Sequence, residues 1–106
     1  MLSGDGPQLV FDAVGYTLEE LIEKQRAVDE AHGHVEELRG RFGPPSAGSL
    51  TPVQVVAQET AWRAWRDLER DRQNAVAQYA NESGRPRPDV EHDVRKGAGP
   101  APDNQR

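Results

Sequence analysis

Apolar residues recur at helical spacing in two long stretches of the chain. In the first, Leu21, Val28, Val35 and Phe42 follow one another at seven-residue steps, and Leu18, Ala31 and Leu38 widen the line into one stripe. In the second, Val55, Ala61, Trp62, Trp65, Leu68, Ala75, Val76 and Tyr79 share a face. Each stretch opens with the same start signal. Thr17 with Glu20, and Thr51 with Gln54, have the spacing of a capping box, in which a threonine hydroxyl and a Glu or Gln side chain satisfy each other's free backbone N–H groups. Tyr16 with Leu21, and Leu50 with Val55, have the spacing of the hydrophobic staple that accompanies it. Pro52 at the first helical position lacks only an N–H that would have no helical partner. Gly43-Pro44-Pro45 stops the first pattern, and Gly84 followed by Pro86 stops the second. The expected helices run from Leu18 to about Arg41 and from Pro52 to about Ser83, and a short turn places them antiparallel.

The flanks carry weaker signals. Residues 1–16 begin with Ser3-Gly4-Asp5-Gly6-Pro7 and continue through Leu9, Val10, Phe11, Ala13 and Val14. They read as an arm, extended or a short helix, folding back on the hairpin; a strand added to a partner's sheet edge is the other reading. Residues 85–106 open Arg85-Pro86-Arg87-Pro88, pass through a charged run from Asp89 to Lys96, and end in Gly and Pro. Val90 and Val94 are their only large apolar side chains, which predicts a disordered tail. The expected architecture is all-α: an antiparallel two-helix hairpin over 17–84, an N-terminal arm over 1–16 and a disordered Pro/Gly-rich tail over 85–106.

Composition narrows the chemistry. The 106 residues hold 13 Lys+Arg against 18 Asp+Glu, a net charge of -5, which disfavours a nucleic-acid partner. No cysteine is present, which excludes disulfide scaffolds, Cys-ligated zinc, iron–sulfur sites and thiol catalysis. Residues 1–6 have no basic and apolar leader pattern, and the longest apolar runs are three residues, so neither a signal peptide nor a membrane span is expected. Eleven arginines against two lysines, with abundant Ala, Gly and Pro, point to a GC-rich coding sequence.

Few residues combine into reactive arrangements. His32 and His34 are two apart and diverge on a helix, while Glu30, His34 and Glu37 share a face that reads as solvated rather than metal-binding. Arg63, Arg66 and Arg70 line up beside the tryptophans in a pattern that suits single-stranded nucleic acid. Glu59, Asp67 and Asp71 stand at ion-pair spacing from them, however, and the same tryptophans suit a core. Ser46 and Ser49 have no nucleophile-elbow motif, and no phosphate-cradling glycine loop occurs. Neither a cofactor nor a metal is expected. Arg85-Pro86-Arg87-Pro88 reads as a helix stop and linker, with a short polyproline ligand as the alternative.

A hairpin of this size has no second layer, and two tryptophans need cover. The expected function is therefore a non-enzymatic assembly or adaptor role, as an oligomer or a subunit of a larger complex such as a phage particle. Its protein-binding face comprises Leu21, Val28, Val35, Phe42, Trp62, Trp65, Leu68, Val76 and Tyr79. The expected location is cytoplasm or virion. Length, absent cysteine and a mid-chain turn resemble the layout of the Trp-x-Gly family of type VII secretion substrates, which implies a small exported hairpin. The turn Gly43-Pro44-Pro45-Ser46-Ala47-Gly48 lacks that family's tryptophan, and Tyr79 is followed four positions on by Ser83 rather than an acidic residue. A third reading is an antitoxin-like or nucleic-acid-associated regulator whose tail orders on binding.

Overall fold

The computed structural model describes residues 15–44, 48 and 50–100, and all regular structure among them is helical. Helix α1 spans Leu18–Phe42, α2 spans Pro52–Ser83 and α3 spans Arg87–Ala98. Most of the expected arm, and the end of the chain beyond Pro100, lie outside the described residues.

Both capping boxes form. Thr17 Oγ1 accepts from the Glu20 N–H at 3.1 Å while Glu20 Oε1 accepts from the Thr17 N–H at 2.9 Å. Thr51 and Gln54 repeat the exchange at 3.2 and 3.0 Å. Acidic Glu19 and Glu20 in the first turn of α1, and Arg39 and Arg41 in its last, complement the helix dipole. The far end of α1 is tied to α2 by the buried Gln58, whose amide donates to the Gly43 carbonyl at 2.9 Å. At Gly40 the opposite economy holds. It is helical and exposed, and a Cβ there would meet nothing within 4 Å. Gly40→Ala is expected to raise stability by about 0.5–1 kcal/mol in urea denaturation, because alanine loses less backbone entropy on entering a helix.

The expected disordered tail is corrected by α3. Gly84 takes the left-handed conformation (φ 71, ψ 22) that ends α2, and the chain turns back within three residues. Arg85-Pro86-Arg87-Pro88 is the entry to a helix: Pro86 is its N-cap, and Pro88 sits in the first turn, where a missing N–H costs nothing. Running antiparallel to α2, α3 lies in the groove that α1 and α2 form at this end. Val90 and Val94, one helical turn apart, are fully buried in one cluster with Leu21, Ala75, Val76 and Ala80, and Tyr16, Leu18 and Tyr79 pack around it. The described residues thus form three helices rather than a two-helix hairpin. The longer α2, whose last turns outrun α1, finds its cover within the chain. At Gly97 the approach is close enough that a Cβ would collide with the Ile22 side chain, so the last turn of α3 sits directly on α1.

Charge holds α3 in place as well. Arg72 is only 5% exposed, and its guanidinium bridges Glu69 at 2.8 Å on its own helix and Glu91 of α3 at 2.7 Å. Hydrogen bonding to Glu69 and then to Glu91 outweighs burial and fixes Arg72 in its charged form. The same contact with Arg72 holds the Glu69 carboxyl below its ordinary range. Arg85 pairs with Asp93 at 2.7 Å and pulls that carboxyl down too. On the other side of the bundle Lys24 binds Asp71 at 2.7 Å, and this hydrogen bond raises the lysine. Carboxylates depressed on folding stabilise the native state above their unfolded values and lose that contribution as pH falls through the folded ones. Stability is therefore expected to drop as pH is lowered below about 4.5, the ordinary Glu value. The Lys24 contribution is present below 10.5 and fades as pH rises above it. Urea midpoints at pH 3, 6 and 11 check both limbs.

Candidate functional site

Beyond the end of α3 the bundle thins to two helices. From about His32 onward on α1, and from Pro52 to about Trp65 on α2, no third described element covers the groove. Among the described residues, the large apolar side chains left exposed are Val53, Val56, Trp62 and Leu68, at 78, 59, 46 and 37%. All four belong to α2. At helical spacing Val53 points to the side of α2 opposite Trp62, and Val56 and Leu68 lie on its two flanks, so of the four it is Trp62 that borders the groove α3 leaves open.

Trp62 is the ridge of this surface. The Arg66 guanidinium lies over its indole, 4.8 Å from the ring centroid, a cation–π contact one turn along the helix. On the side nearer the turn is a hollow of about 390 Å³ walled by Val35, Arg39, Gln58, Glu59 and Trp62. On the side nearer α3 is a second of about 400 Å³, walled by Trp62, Trp65, Arg66, Glu69, Arg70 and Gln73. Trp65 is half-buried and meets the His32 ring at a centroid distance of 5.1 Å and a tilt of 52°. The side chains are long, and both signs of charge alternate around the rims.

The residues expected to form a binding face divide into two groups. Leu21 and Val76 belong to the cluster that α3 closes, and Val28 is also buried within the chain. They hold the bundle together and have no surface to offer a second protein. Tyr79 packs against the same cluster. Val35, Phe42, Trp62 and Trp65 lie on the part α3 leaves uncovered, Leu68 lies beyond it on another flank of α2, and all five retain accessible surface. Arg39, Gln58 and Glu59, absent from the apolar pattern, wall the hollow beside Trp62. The available signal was their spacing: Gln58 and Glu59 precede Trp62 by four and three positions, so they share its neighbourhood on the helix.

The other candidate groups are dispersed. His32 approaches Glu36 at 3.6 Å and His34 approaches Glu37 at 3.7 Å, each along α1. No group of three His, Cys, Asp or Glu side chains converges in metal-binding fashion among the described residues. Asp71, which stands at pairing distance from the helix arginines in sequence, is drawn instead to Lys24 of α1. No described helix is long and apolar enough to cross a membrane. No family model matches the chain, and no curated protein or solved structure matches it either.

Proposed function

We propose that this chain is a non-enzymatic assembly or adaptor protein that works through protein–protein contact at the two-helix end of the bundle, in the cytoplasm or within a particle such as a virion. The observation that supports this reading is the exposed Trp62, flanked by two hollows and stacked with Arg66. Tryptophan and arginine are the side chains that most often dominate binding energy at protein interfaces. An apolar ridge rimmed by mixed charge has the anatomy of an interface core and its polar edge. Gln58, tied to Gly43, holds the end of α1 against α2, so this platform is formed before any partner arrives.

The test is a photo-crosslinking side chain placed at Trp62 in cells that produce the protein. Covalent joining to a protein chain, lost when the crosslinker is moved to exposed Asn81 on the last turns of α2, is the expected result. A folded, expressed chain that yields no crosslinked protein from position 62 overturns the reading.

A further inference from the structure

We infer that the partner at this face is an acidic segment of another protein, whose carboxylates bind the unpaired arginines around Trp62 while one of its apolar side chains enters the hollow between Trp62 and Trp65. This rests on the proposed protein-contact role and names the chemistry of the partner.

The ion pairs of the bundle carry the argument. Arg26, Arg41, Arg72, Arg85 and Arg87 each hold a carboxylate of the same chain. Among the described residues, Arg39, Arg63, Arg66, Arg70 and Arg95 hold none. They are not scattered. Arg39 walls the hollow on the turn side of Trp62, and Arg66 and Arg70 wall the hollow on the other side. Arg63 stands one turn before Arg66 on the same exposed stripe of α2. Arg95 of α3 is close enough to Glu69 to help hold its carboxyl down.

The nearby carboxylates leave this stripe unpaired. Glu59, Asp67 and Asp71 have the sequence spacing to neutralise it. Asp71 is instead bound to Lys24 at 2.7 Å, and Glu59 and Asp67 form no ion pair with a described residue. Glu69, the carboxylate in the hollow, is held by Arg72 at 2.8 Å. A chain with a net charge of -5 thus gathers its unpaired guanidiniums beside its exposed tryptophan.

Guanidinium groups recognise carboxylates through paired hydrogen bonds. From Arg63 to Arg70 the helix rises about 10 Å, which matches carboxylates two turns apart on a partner helix. The hollow of about 400 Å³ beside them admits a leucine or phenylalanine side chain. Single-stranded nucleic acid is also anionic, but it fits less well. Its bases need free aromatic faces. Arg66 already covers one face of Trp62 at 4.8 Å, and Trp65 is half-buried against His32. A polyanion longer than the stripe also meets a chain that is acidic overall.

Trp62 and Trp65 are the chain's 2 tryptophans, so intrinsic emission reports on this hollow. The probe is a tryptophan-free peptide of Glu and Asp with two leucines one helical turn apart, added to the full chain. A saturable change in emission is expected, with a dissociation constant below about 200 µM in about 50 mM NaCl. Raising NaCl to about 500 mM is expected to weaken it several-fold. The same peptide with Gln and Asn in place of its acids is expected not to bind. Arg66→Glu is expected to weaken binding about tenfold or more with unchanged helical circular dichroism. Lys96→Glu makes an equal charge change at an exposed site of α3 away from the stripe, and is expected to alter binding less than about twofold.

An acidic peptide that leaves the emission unchanged up to about 2 mM overturns the inference. Equal binding of the amide peptide does so too, as does binding that Arg66→Glu leaves intact. A single-stranded thymidine oligonucleotide that binds more tightly than the peptide at the same salt overturns it in favour of nucleic acid. The two proposals fail separately. A position-62 crosslinker that joins a protein, with no binding of the acidic peptide, ends the acidic-segment idea and leaves the contact role standing. No crosslink from position 62 ends both, because a segment seated in the hollow lies within its reach.

Discussion

Replacing Val90 and Val94 together with alanine is expected to cost about 3–5 kcal/mol, a large share of the stability of a domain this size. Each valine is fully buried, and each loses two methyl groups' worth of burial plus the cavity left between α1 and α2. The two side chains share one cluster, so their effects are coupled rather than independent. The loss is expected to spread beyond α3. Leu21 and Val76 lie beneath it and become accessible when it lifts, so amide hydrogen exchange in the first turns of α1 and the last turns of α2 should accelerate with it. Urea denaturation gives the free energy, and exchange shows where the structure opens. A change below about 1 kcal/mol with unaltered exchange would mean that α3 is not part of the cooperative unit.

Arg72→Ala is expected to be nearly as damaging, at about 3 kcal/mol. The substitution deletes the one cation that Glu69 and Glu91 share, and it leaves a void where a nearly buried side chain stood. The two carboxylates keep part of their hydration, which holds the cost toward the low end for breaking a buried pair. Arg72→Met separates the two contributions. It retains most of the volume and lacks the charge, so it is expected to recover more than half of the loss. It should also flatten the acid limb of the stability profile, because Glu69 then loses the hydrogen bond that depresses its titration. Equal losses for Ala and Met would place the whole effect on charge.

The long helices were legible because their information is local. A cap, a staple and an apolar repeat all lie within a few residues of one another, and in α1 and α2 they agree. The third helix was not, because almost nothing local specifies it. Two prolines at its start and two glycines at its end give it the composition of a linker, and its two valines form no stripe long enough to stand out. What orders it is remote: a groove left by the unequal lengths of α1 and α2, and an arginine nineteen positions away from Glu91. Traces of it were readable. Val90 and Val94 stand one turn apart, Asp89 lies at the positive end of the dipole and Arg95 and Lys96 at the negative end. The face at Trp62 was legible as apolar but not as divided. Only the placement of α3 separates Leu21 and Val76, which the chain consumes itself, from Trp62, which it does not.

The elbow at Gly84–Pro86 has a consequence for the integrity of the chain. A helix of 12 residues is marginal in water when it stands alone, so α3 owes its order to being held beside its groove. A tether this short presents it at an effective concentration on the millimolar scale. Two valines and the Arg72–Glu91 and Arg85–Asp93 pairs suffice under that condition, although they would bind poorly between separate molecules at micromolar concentration. One cleavage in the elbow would leave every contact intact and still cause α3 to dissociate by dilution. The continuity of three residues of backbone is thus what keeps this end of the bundle closed.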